Sequence, residues 1–167
     1  LASRPGLRRP AVSFVAALSL LAAAAAAAPP ARGWVDPSTG APHASRVTRG
    51  ADIPEKNWLR GHRGVDLALS PGDGVRAAGG GTVAFAGVVA GSPVVSIDHP
   101  GGIRTTYQPV HARVRQGDAV SEGEVIGILG HSTDHRGLHW GALTGRDMYI
   151  NPLTLLAVPA IRLKPLT

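Results

Sequence analysis

The 167-residue chain carries 17 basic and 11 acidic residues, a formal charge of +6, with 22 glycines, 14 prolines and no cysteine. That length accommodates one ordinary domain. The absence of cysteine excludes a disulfide framework, a thiolate zinc site and a cysteine nucleophile, so any metal must rest on His and Asp or Glu.

Residues 1–28 begin with Arg4, Arg8 and Arg9 and no acid, and continue from Ala11 to Ala28 as an apolar, small-residue run. A cationic start, an apolar middle and an Ala-rich end predict a signal peptide cut near Ala27, and hence a secreted or cell-wall-associated protein. The alternative is a retained anchor, since the run is close to the ~20 residues that span a bilayer. An Ala-rich rather than Leu-rich run with small residues at its end favours cleavage. Losing three arginines with the leader takes the charge from +6 to about +3. So small an excess, with no basic stripe interleaved with aromatics, predicts no nucleic acid partner and suits anionic wall polymers.

Residues 29–57 are rich in Pro, Ser, Thr and Ala without a sustained hydrophobic period and are expected to form a linker or lead-in. The domain is expected at 58–157, with 158–167 as a C-terminal tail. Short β-branched runs follow one another between Gly, Pro and Asp turns. They are Val65–Leu69, Val75–Ala77, Gly81–Ala86, Val94–Asp98, Ile103–Tyr107, Ala119–Val120 and Val125–Leu129. This spacing predicts an all-β domain, and no long window carries a helical apolar period. Gly79–Gly81 runs straight into a strand, so it lacks the following helix that a phosphate-binding glycine loop needs.

The histidines are the informative residues. In Gly61-His-Arg-Gly-Val-Asp66, His62 and Asp66 stand four apart around a glycine at a strand entry, where an imidazole and a carboxylate can converge. Zinc accepts both donor types, and catalytic zinc commonly uses three protein ligands and leaves a fourth position open. His139, in Gly137-Leu-His-Trp-Gly141, is the third candidate: strand alternation turns Leu138 and Trp140 toward the core and His139 to the opposite face. A His–Asp hydrogen bond at a turn would account for the first pair without a metal. His99 is expected in a turn or capping role and His43 in the linker. Trp140 and Tyr149 are better placed to seal the core than to line a groove.

The order of these segments, His62-Arg-Gly-Val-Asp66, the glycine-rich stretch Pro71–Val83, Val94–His99, Thr106-Tyr107, Gly117–Gly127 and Leu138-His139-Trp140, resembles the lysostaphin/LytM-type zinc metallopeptidases, which are peptidoglycan endopeptidases. The resemblance covers residues 60–156 and includes Asn151-Pro152-Leu153. It implies short antiparallel strands in a partly open β-sandwich with a metal-bearing groove. It also implies Zn²⁺ on His62, Asp66 and His139, and a peptidoglycan peptide as partner. The chain departs from the family at two further histidines. The first His of a His-x-His motif falls on Gly137, and the His two residues after a tyrosine falls on Pro109. His111, four after Tyr107, and His135, two before Gly137, are the candidate catalytic surrogates. Their ordinary role, shared with His131, is that of solvated loop histidines.

The preferred reading is a zinc metalloendopeptidase that cleaves peptidoglycan peptides by metal-activated water. Loss of acid–base partners commonly costs ~10²–10⁴ in rate, so weak activity is compatible with it. The alternative is a non-catalytic, zinc-retaining wall-binding or regulatory module. A biotinyl- or lipoyl-carrier domain, for which the glycine-rich hairpins are reminiscent, lacks the exposed hairpin lysine that carriers modify.

Overall fold

The computed structural model describes residues 33–157, so the expected signal peptide (1–28) and C-terminal tail (158–167) lie outside them. The described residues form β1 (Val47–Arg49), β2 (Val65–Leu67), β3 (Gly74–Arg76), β4 (Gly81–Val89), β5 (Ser92–His99), β6 (Ile103–Gln108), β7 (Val110–Ala112), β8 (Ala119–Val120), β9 (Val125–Leu129), β10 (Leu138–Thr144) and β11 (Met148–Ile150), then a 3₁₀ turn at Pro152–Leu155. Every strand expected from the sequence is present. The expected all-β class with short antiparallel pairing holds: the larger sheet runs β1-β2-β10-β6-β5-β4-β8 with β11 on β10, the smaller runs β3-β9-β7, and neither closes on itself.

Period-two alternation builds the core. Val65 and Leu67 of β2, Leu138 and Trp140 of β10, and Tyr107 of β6 are fully buried, and meet Val75, Ile126 and Val110 of the smaller sheet. The residues between them on β2 and β10, Asp66 and His139, are thereby turned to the other face of the large sheet.

Residues 33–57, the described part of the expected linker or lead-in, touch the domain at several points. Val35 and Asp36 are buried, and Trp34 packs against the core. The Asp36 carboxylate accepts hydrogen bonds from Ser38 N and Ser45 N, each at 2.7 Å. β1 extends the sheet by pairing with β2, and Asp52 pairs with His62. No apolar alternation announces this segment because all three residues of β1 are exposed: the strand is recruited by backbone pairing to an edge rather than by burial of side chains.

His99 is a core residue rather than a turn cap. Its Nδ1 lies 2.9 Å from Gly80 O and its Nε2 2.7 Å from Thr105 Oγ1. A carbonyl only accepts, so Nδ1 donates, and Nε2 of the neutral ring accepts the threonine hydroxyl. Thr105 Oγ1 is 2.8 Å from Tyr107 Oη, which accepts Ala78 N–H. Burial pushes the Tyr107 phenol up to about 12. Burial also pushes the His99 imidazole below its ordinary value, against the opposing pull of Gly80 O and Asp98. The unfolded chain therefore binds a proton that the folded chain resists. Stability contributed by neutral His99 is full above the unfolded value of about 6.5 and is lost as pH falls below it. The urea midpoint of metal-free protein is expected to drop between pH 7.5 and 5.5, and to drop less in His99→Gln, which cannot be protonated. Equal drops in the two proteins would contradict this role for His99.

Candidate metal centre

The register of the sheet brings the candidate ligands together. β10 pairs antiparallel with β2 so that His139 stands opposite Asp66, and with β6 so that His139 stands opposite Gln108. Directly opposed residues share a face and sit close in side-chain space. His62 joins them from just before β2, held by two backbone bonds between His62 and Asp52. Gly64, between His62 and Asp66, makes room: a Cβ there would lie 2.8 Å from His139 Cε1 and 2.4 Å from Trp140 O. The glycine of the His-Arg-Gly-Val-Asp segment is thus a close-approach residue under the His139 ring.

Asp66 Oδ1 has His62 Nε2, His139 Nδ1 and His135 Nδ1 each at 3.0 Å, and His62 Nε2 is 3.1 Å from His139 Nδ1. The four ligand atoms lie within 4.8 Å of one another. His62 decides what this cluster fits. Its Nδ1 is 2.7 Å from Gly50 O and must donate to that carbonyl. In the neutral ring Nε2 is then a bare lone pair aimed at a carboxylate oxygen and at another imidazole nitrogen. Lone pairs facing each other at such distances repel unless a proton or a cation lies between them. A metal-ligating histidine usually donates its far ring N–H to a carboxylate, a backbone carbonyl or water, and His62 makes such a bond to Gly50 O. The donor set of imidazoles and one carboxylate suits Zn²⁺.

The protonation states agree with ligation. Burial works against the charge on Asp66, but hydrogen bonding to His135 and His139 and the nearby imidazoles outweigh it and hold the carboxyl well below the ordinary range. Burial lowers His139, reinforced by its histidine neighbours and opposed by Asp66. An ionised carboxylate and a neutral imidazole near pH 7 are the forms a metal takes up.

Of the residues singled out from the sequence, His62, Asp66 and His139 converge. His135 joins them from the loop between β9 and β10, so its solvated-loop role does not hold. His111 is not brought into the cluster: it has no ligand atom there. β6 ends at Gln108 and the chain crosses to the smaller sheet at Val110, which leaves His111 exposed on β7 with its ring over Gly130. His131 is exposed and lines an open cleft between Ala90–Pro93 and the β9–β10 loop. Sequence reasoning missed Gly50, which orients His62, and Thr48, whose Oγ1 lies 3.1 Å from Asp66 O and 3.0 Å from Arg136 O. Both sit in the segment expected as linker, and no motif marks them.

The family model described as Peptidase family M23 matches residues 60–152. An uncharacterized protein of Mycobacterium tuberculosis, Rv2891, is 52% identical over 130 residues, covering 72% of this chain and 51% of that protein. The DD-carboxypeptidase/endopeptidase Mpg of Neisseria meningitidis is 34% identical over 106 residues, covering 61% of this chain and 24% of that protein. Among solved structures, Helicobacter pylori Csd3 superposes with a TM-score of 0.57 at 29% identity, over 81% of this chain and 37% of that one. The chain thus spans about half the length of the mycobacterial relative and about a quarter of Mpg.

Proposed function

The chain belongs to peptidase family M23, and on that footing we propose that it is a zinc-dependent hydrolase of peptide bonds in peptidoglycan, exported and acting in or near the cell wall. The observation that carries this reading is the convergence of His62 Nε2, Asp66 Oδ1 and His139 Nδ1 on one buried point, with His62 oriented by Gly50 O. A zinc ion held there supplies Lewis acidity toward a carbonyl and lowers the pKa of water toward ~7.

The chain's own groups would bind and orient the peptide along the same face. Next to the His139–Gln108 pair the register aligns Gly141 with Thr106 and Thr106 with Ser96, a row of small residues that leaves backbone room above the sheet. Gln108, opposite His139, brings an amide that donates N–H to a carbonyl oxygen. In a water-excluding site such a donor is an electrostatic aid that replaces neither missing histidine as a base.

Gly137 and Pro109 support a second reading, a zinc-retaining module that holds wall peptide without cutting it. The two readings separate on a purified cross-linked wall peptide. Hydrolysis predicts new amine and carboxyl ends with the zinc-loaded chain, loss of the reaction with chelator and its return on adding zinc. Binding without new ends under all three conditions would overturn the hydrolase and leave the module.

A further inference from the structure

We propose that His135 is a fourth protein ligand of the metal, so that the site is closed in this arrangement and opens to substrate only when the β9–β10 loop carries His135 away. This rests on the metal site of the proposed function and adds its regulation.

Zinc sites with four protein ligands are closed, while sites that process substrate keep one position free. A tetrahedron with bonds of about 2.0–2.1 Å has edges of about 3.3 Å. The edges from Asp66 Oδ1 to His62, His135 and His139 are each 3.0 Å, and that from His62 to His139 is 3.1 Å; His135 Nδ1 thus makes the same edge to the carboxylate as the other two imidazoles and lies within 4.8 Å of every other ligand atom. Its ring stacks on that of His139 with centroids 4.4 Å apart and planes at 27°. Two imidazolium rings would repel in that stack, whereas two neutral rings sharing one cation would not.

The loop is built to aim this side chain inward. Ser132 Oγ accepts hydrogen bonds from both Asp134 N and His135 N at 3.1 Å, a serine turn that fixes the backbone before the ring. On the other side Thr48 Oγ1 holds Arg136 O while also reaching Asp66 O. The position two residues on, just before β10, is blocked, because a Cβ at Gly137 would lie 2.1 Å from Leu67 O. An imidazole can therefore reach the ion from the loop but not from position 137. A loop fastened by a few exposed hydrogen bonds opens at far lower cost than a strand inside a sheet. Displacement of His135 by a substrate carbonyl or by water is thus the step that would free the fourth position.

The test uses the full chain with Co²⁺ in place of zinc, because the visible spectrum of cobalt reports coordination directly. Wild type, His135→Ala and Asp66→Ala are titrated with Co²⁺, and azide is then added as a small competing ligand. The inference expects one cobalt per wild-type chain with a spectrum that azide leaves unchanged. It expects His135→Ala to keep one cobalt, bind it at least about tenfold more weakly, a loss of about 1.4 kcal/mol, and shift its spectrum on adding azide. A wild-type spectrum that shifts with azide as the variant's does, or a variant with wild-type affinity and spectrum, overturns the fourth ligand and leaves the three-residue site standing. A wild-type chain that takes up no cobalt, or an Asp66→Ala chain that takes it up as wild type does, overturns the metal site itself and the inference with it.

Discussion

Asp66→Ala is expected to strip the protein of its zinc. Asp66 Oδ1 is the one atom that all three imidazoles approach, each at 3.0 Å. Loss of an outer partner of a metal ligand commonly costs about 10–100-fold in affinity, so removing the shared carboxylate should cost more than about 100-fold. The deletion also leaves His62 Nε2 and His139 Nδ1 facing each other at 3.1 Å with no anion between them. Folding reports the same loss, because a ligand that binds only the folded chain stabilises it by about 4 kcal/mol at a thousandfold excess over its Kd. Zinc should raise the melting temperature of wild type, chelator should reverse that, and neither should move Asp66→Ala. The fold itself should survive, since the backbone pairing of Asp66 with His139 does not need the carboxylate. Equal zinc content in variant and wild type would remove the site.

Gly137→His, the substitution that writes the family's His-x-His motif back into this chain, is expected to damage the fold rather than supply a catalytic group. Gly137 has φ +112, a conformation that L side chains rarely adopt, and a Cβ there meets Leu67 O at 2.1 Å and Leu69 N at 3.1 Å. Backbone strain of this kind costs about 1–3 kcal/mol, and the collision with a β2 carbonyl adds to it. Gly137→Ala carries the same Cβ without the ring and should lose about 3 kcal/mol or more in urea denaturation. Of a marginal total of about 5–15 kcal/mol this is a large share. An unchanged urea midpoint in Gly137→Ala would show that the position tolerates a side chain, and the empty place in the motif would then need another explanation.

Much of the fold was legible because alternation and burial coincide. Val65, Leu67, Leu138 and Trp140 announce a buried strand face, and that face fixes Asp66 and His139 on the other one. The segments that were not legible lack the coincidence. β1 buries no side chain, and β11 is a three-residue return strand whose residues are at most half-buried. Within the site, Asp66 and His139 on paired strands and His62 were legible as candidates from their spacing together with the resemblance in segment order. His135 was not, because its loop of Ser, Thr and Asp has no period, and its inward aim comes from Ser132, Thr48 and the exclusion at Gly137, which are tertiary facts. His111 stands outside the cluster for the complementary reason. Distance along the chain from Tyr107 was short, but the chain changes sheets between them.

Digestion of purified peptidoglycan by the zinc-loaded protein, followed by mass analysis of the released fragments, puts the proposed activity to trial with Asp66→Ala and His135→Ala as companions. A hydrolase with a displaceable fourth ligand predicts new peptide ends from wild type, none from Asp66→Ala or in chelator, and faster release from His135→Ala. Absence of new peptide ends from both wild type and His135→Ala, with zinc bound in each, would contradict hydrolysis and leave a peptide-holding wall module.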